Sequence, residues 1–85
     1  MLSELPNIGK VLEKRLEAVG VRTPADLSEA GSLGVLQRLD AINDPGCLNM
    51  LYALEGALRG TRWHYLSPEI KAQLKAGLKS IQAGE

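Results

Sequence analysis

A chain of 85 residues with 45% apolar and 24% charged side chains has the composition of one small globular domain, not of a disordered segment. Ten basic residues balance ten acidic ones, and a formal net charge of zero argues against strong non-specific nucleic-acid binding. No apolar run is long enough to span a membrane, Met1-Leu2-Ser3 does not begin a signal peptide, and the single Cys47 excludes an internal disulfide and fits a reducing, cytoplasmic location.

The chain opens on Leu5-Pro6-Asn7-Ile8-Gly9-Lys10, a tight turn running straight into an amphipathic stretch. This pattern is close to the turn of a helix-hairpin-helix, where backbone N–H groups at the turn and at the next helix N-terminus converge on an anion. Only four residues precede Pro6, so the leading helix is at most a single turn. The first full helix is expected from about Gly9 to Val19. Ile8, Leu12, Leu16 and Val19 form its apolar stripe, Lys10, Glu13, Lys14 and Glu17 its outer side, and Gly20 its stop. Thr23-Pro24-Ala25-Asp26 gives a cap, a proline at N1 and an acid at N3 for a short helix to Ala30, which Gly31 ends. Ser32 then reads as the cap of a third helix from about Leu33 to Ile42, closed by the turn Asn43-Asp44-Pro45-Gly46.

The fourth helix, about Cys47 to Arg59, is apolar on nearly every side. Only Asn49 and Glu55 interrupt it, so it is expected at the centre of the core, with Cys47 a small core residue. Gly56 in its interior implies a neighbouring backbone passing close by. An aromatic connector, Thr61-Arg62-Trp63-His64-Tyr65, leads to Ser67-Pro68 and a last helix to about Ile81. Its buried stripe is Ile70, Leu74, Leu78 and Ile81, and its exposed ridge is Lys71, Lys75 and Lys79. No stretch alternates with the period of a strand.

No constellation for catalysis emerges. One His and one Cys stand far apart, no serine occupies a nucleophile elbow, no glycine-rich loop cradles a nucleotide, and no metal-ligand spacing occurs. An enzyme, a cofactor and a metal are therefore not expected. Two contact surfaces are. The first is phosphate-directed: N–H groups around Ile8, Gly9 and Lys10, with Lys14, and the ridge Lys71, Lys75 and Lys79 if folding brings it to the same side. Asn7, where this turn usually has a small glycine, would crowd a phosphate there. The turn also has a plainer role, fixing how the first helix packs on the fourth. The second surface is for protein: Arg62, Trp63, His64 and Tyr65, residue types favoured at interfaces, which serve equally to cap a helical core. Charge is uneven. Residues 1–44 hold five basic and seven acidic side chains, and residues 45–85 hold five and three.

Three blocks together resemble the C-terminal domain of TfoX (Sxy) proteins. They are Leu5-Pro6-Asn7-Ile8-Gly9-Lys10; Leu16 with Val19-Gly20-Val21-Arg22-Thr23-Pro24 and Asp26-Leu27; and Cys47 through Gly60 with Arg62-Trp63-His64, the most specific of the three. The likeness runs from about Ser3 to Leu78. It implies an all-α fold: a single compact domain of about five helices, with a helix-hairpin-helix-like N-terminal element around a central apolar helix. It implies a non-catalytic regulatory module near bacterial transcriptional control, acting through protein contacts, DNA contacts or both. In full-length members this domain follows an α/β domain, and the protein activates competence genes together with the cyclic-AMP receptor protein, which makes that regulator the implied partner. The chain carries no such α/β portion and is expected to be an excised fragment or a free-standing relative. The alternative is a free-standing, non-specific DNA-binding domain unrelated to competence.

Overall fold

The computed structural model describes residues 2–84, and their regular structure is entirely helical. A 3-10 turn at Leu2–Glu4 leads to α1 (Lys10–Ala18), α2 (Pro24–Ala30), α3 (Ser32–Ala41) and α4 (Leu48–Leu58); a second 3-10 turn at Trp63–Tyr65 precedes α5 (Pro68–Gln82). The opening segment is thus the single turn expected before the hairpin.

Local chemistry sets most of these boundaries. At the end of α1 the Val21 N–H donates to the Leu16 carbonyl (2.9 Å) and the Gly20 N–H to that of Glu17 (3.1 Å), with Gly20 at φ 82°. This is a Schellman closure, and it turns Val21 into the core. At the start of α2 the Asp26 N–H donates to Thr23 Oγ1 (3.0 Å), while Asp26 Oδ2 accepts from the N–H groups of Thr23 (3.2 Å) and Arg22 (3.1 Å). This reciprocal box satisfies otherwise orphaned helix donors. The Arg22 N–H foremost, then the Thr23 groups, hold the Asp26 carboxyl below its ordinary value of 3.8. Ser67 caps α5 in the simpler way, accepting from the Ile70 N–H at 3.2 Å.

Ser32 departs from its expected role. Gly31, at φ 75°, occupies the cap position, and Ser32 is the first residue of α3. Its buried hydroxyl donates to Glu55 Oε1 at 2.6 Å, and Glu55 also accepts from Arg59 Nε at 2.7 Å. A serine that reads locally as a cap is here a cross-link between α3 and α4.

The core is built mainly of leucine: Leu2, Leu16, Leu27, Leu36, Leu39, Leu51 and Leu54 are almost wholly buried, with Val21 and Val35. Burial of each contributes roughly 1.5–3 kcal/mol relative to exposure. α4 is central as expected, but shares that place with α3; each packs on α2, α5 and the other. α4 and α5 run antiparallel, with Tyr52 beside Lys71 and Leu48 beside Leu78. α1 packs its backbone mainly against the opening 3-10 turn and bears on the core through Leu16, with Leu12 and Val19 half-buried. Glu13 is a second departure. It lies on the inner side of α1, 8% exposed, and its Oε2 accepts from the Ser3 N–H at 2.9 Å, tying α1 to that turn.

Candidate functional site

The hairpin turn is held from inside. Asn7 has φ 69°, a left-handed conformation that asparagine tolerates better than most residues. Its amide Nδ2 donates to the carbonyls of Thr61 (3.0 Å) and Ala53 (3.3 Å), and its Oδ1 accepts from the Trp63 N–H (3.3 Å). The turn is therefore stapled to α4 and to the segment that follows it. Gly56 makes room for this: a Cβ there would lie 2.6 Å from Asn7 Nδ2, 2.8 Å from the Thr61 carbonyl oxygen and 3.2 Å from Trp63 Cα. The close backbone approach implied by that glycine is present, made by Thr61 and Trp63. The expected crowding of an anion by Asn7 does not occur, because its side chain points into the protein.

Beyond Asn7, Ile8 is buried and its N–H donates to the Leu5 carbonyl at 3.4 Å, which leaves it turned away from any outside anion. Gly9 is exposed and extended at the N-cap of α1, with no side-chain cap. Among the described residues the N–H groups of Gly9, Lys10, Val11 and Leu12 have no hydrogen-bond partner, the usual state of an uncapped helix start. Lys10 and Lys14 are exposed one turn apart. Between them Val11 is 78% exposed.

Val11 borders a surface depression of about 360 Å³, lined also by Gly9, Leu12, Arg15 and Met50. Arg15 forms its wall and is already committed. Its Nε and Nη2 donate to the two carboxylate oxygens of Asp44 (3.1 and 3.0 Å), and Nη2 also reaches the carbonyls of Asp44 (2.9 Å) and Pro45 (3.1 Å). The sequence reading had no place for Val11, Arg15 and Met50 as surface-forming residues. The available signal was that Val11 falls off the Ile8–Leu12–Leu16 stripe of an otherwise regular helix.

The lysines of α5 do not form one free ridge. Lys71 is half-buried, its Nζ 5.4 Å from the Trp63 ring centroid and 5.8 Å from that of Tyr52, within cation–π range. Trp63 stacks on Tyr52 (centroids 6.2 Å, 17°) and on His64 (4.2 Å, 25°). The aromatic connector thus divides its work: Trp63 is half-buried against the core, while Arg62, His64 and Tyr65 stand in solvent, Tyr65 at 78% exposed. Lys75 and Lys79 border another depression, of about 270 Å³, with Gly46, Cys47, Leu48, Leu78 and Gln82. Cys47 is exposed there as the N-cap of α4, which corrects its assignment to the core: the helix begins one residue later than expected, and the thiol points outward.

The two depressions touch the first turn of α4 through Met50 and Leu48 respectively. Two residues apart on a helix means roughly 200° around its axis. The depression beside the hairpin and the one bordered by Lys75 and Lys79 therefore lie on different sides of α4, and Lys71 is linked to the hairpin through Trp63, whose N–H donates to Asn7. Arg59 is engaged by Glu55. Among the described residues no group of three or more His, Cys, Asp or Glu is placed to hold a metal ion, and no helix is long and apolar enough to cross a membrane.

The fold recurs in two crystal structures of a protein from Listeria monocytogenes, described as uncharacterized in its triclinic form and of unknown function in its tetragonal form. The triclinic form is 46% identical in sequence, with a TM-score of 0.89 over 95% of this chain and 92% of that one. The tetragonal form, also 46% identical, gives 0.87 over 93% and 98%. A search of curated proteins returns no significant match. The model of the TfoX C-terminal domain matches residues 1–78, nearly the full length, and the chain belongs to the TfoX C-terminal domain family.

Proposed function

We propose that this chain is a non-catalytic regulatory module that works by contact, and that its primary contact is with protein. The observation that carries this reading is the division of its cations. Lys10 and Lys14 stand on α1, Lys75 and Lys79 border a depression on α5, Lys71 lies over aromatic rings, and Arg15 and Arg59 are neutralised within the chain. A duplex is bound by several phosphate contacts made together, and a neutral chain with its cations dispersed is poorly suited to that. In a family tied to bacterial transcriptional control, a regulator such as the cyclic-AMP receptor protein is the natural class of partner. Arg62, His64 and Tyr65 are one exposed surface for it, and the α1 face is the other.

One observation favours the DNA reading as a second possibility: the N–H groups at Gly9 and Lys10 are uncapped, and Asn7 leaves the approach to them open. The two readings separate in a titration of labelled duplex DNA at low and at moderate salt. The protein reading predicts no binding at tens of micromolar even at low salt. Binding that weakens steeply with salt and is lost in Lys10→Glu would transfer the function to DNA.

A further inference from the structure

We infer that the α1 face of the hairpin is a docking site for a short segment of a partner protein in which an apolar side chain is flanked by carboxylates. This rests on the protein-contact reading above and specifies the chemistry the partner must carry. Three observations converge on it.

The first is apolar. Val11 stands 78% exposed beside a depression lined also by Leu12 and Met50, and among the described large hydrophobic residues only Tyr65 is as open. A volume of about 360 Å³ lies at the small end of the roughly 300–1,000 Å³ typical of ligand sites. It suits one anchoring side chain, not an extended surface.

The second is size. A stable pair of copies needs about 800 Å² from each partner, roughly a sixth of the 5056 Å² this chain exposes. A depression lined by five residues, of which Arg15 is already ion-paired, falls well short of that area. A short linear segment fits better than a second copy.

The third is charge. Arg15, the polar wall, is already paired with Asp44, and Glu13 is turned inward onto Ser3. Of the other charges on α1, Lys14 is the surface neighbour of Val11, three residues on along the helix, and has no partner among the described residues; Lys10 and Glu17 lie further round the helix. The uncapped start of α1 adds the positive end of its dipole at the same lip. The complement is an aliphatic or aromatic residue with Asp or Glu beside it. A DNA backbone would answer the lysines but would leave Val11 and the depression in water.

The test uses the full chain, immobilised and panned against a random-peptide display library, with selected peptides then measured by fluorescence anisotropy. The expected winners combine Leu, Ile, Met or Phe with Asp or Glu. Val11→Asp is expected to weaken them by about tenfold or more, the factor for losing one buried apolar side chain. The double change Lys10→Glu with Lys14→Glu is expected to weaken them and invert their salt dependence, while Lys75→Glu with Lys79→Glu leaves them unchanged. Val11 is on the surface, so its variant keeps the wild-type circular dichroism spectrum. No enriched peptide, basic winners, or winners indifferent to Val11→Asp would each overturn the assignment. Winners lost in Tyr65→Ala but not in Val11→Asp would overturn this site and leave the protein-contact function standing. An absence of peptide binders together with salt-steep DNA binding would remove both.

Discussion

Asn7 joins two properties in one residue: a backbone that accepts φ 69°, and an amide that reaches three backbone groups 46 to 56 positions away in sequence. The two contributions are separable. Asn7→Gly keeps the left-handed conformation and loses the hydrogen bonds, and should reduce unfolding free energy by about 1–3 kcal/mol. Asn7→Ala loses the same bonds and keeps a Cβ in the left-handed region without the side-chain hydrogen bonding that makes asparagine tolerant of it, so it should be less stable than Asn7→Gly by roughly 1–2 kcal/mol. Urea denaturation of both variants checks this, and equal stability would show that the backbone conformation carries no cost. A second prediction concerns Asp26, which hydrogen bonding holds below 3.8. A folded-state pKa below the unfolded value means that the stabilisation is fully present above the unfolded value and is lost as pH falls through the folded one. The Tm gap between the wild type and Asp26→Ala should therefore be constant near neutrality, shrink once the pH drops below about 3.8, and close in stronger acid. A gap that persists unchanged into strong acid would contradict the assignment.

Among the elements, α1 is attached by its ends and by single side chains: Glu13 to the opening turn, and Arg15 to the loop before α4. The Arg15–Asp44 pair is bidentate, but its partners are 29% and 50% exposed. A double-mutant cycle with Arg15→Ala and Asp44→Ala should therefore give a coupling of only about 0.5–1 kcal/mol, falling with added salt. What was legible in the sequence follows the range of the interaction. Thr23-Pro24 and Ser67-Pro68 announced the starts of α2 and α5 because a cap bonds within its own first turn, and Gly20 announced the end of α1 for the same reason. Ser32 misled because its partner, Glu55, is 23 residues away, so the local pattern of a cap was present without its function. Cys47 misled because α4 starts one residue later, leaving Cys47 as an extended N-cap outside the apolar helix it was assigned to. The site was less legible than the fold. Charge drew attention to Lys10, Lys14 and the α5 lysines, but which cations remain unpaired depends on Asp44, Glu55 and Trp63, and those contacts are tertiary. Gly56 was the exception, since a glycine inside an apolar helix already signals a close neighbour.

For the whole molecule, the balance of charge and its distribution point the same way. Net charge is zero, and the unpaired cations are dispersed: Lys10 and Lys14 on α1, Lys75 and Lys79 on α5, and Arg22 and Arg62 in the connecting segments. Such a surface favours a partner that brings apolar groups and a few carboxylates over one that offers a long run of phosphates. The proposed regulatory role thus depends on what the start of α1 meets. The most direct measurement follows the backbone amide NMR signals of the full chain while duplex DNA is added at low salt. The account predicts that the amides of Gly9, Lys10 and Val11 stay in place, whereas they shift on addition of an acidic, apolar peptide selected on the same face. Displacement of those amides by DNA, reversed by added salt, would contradict it.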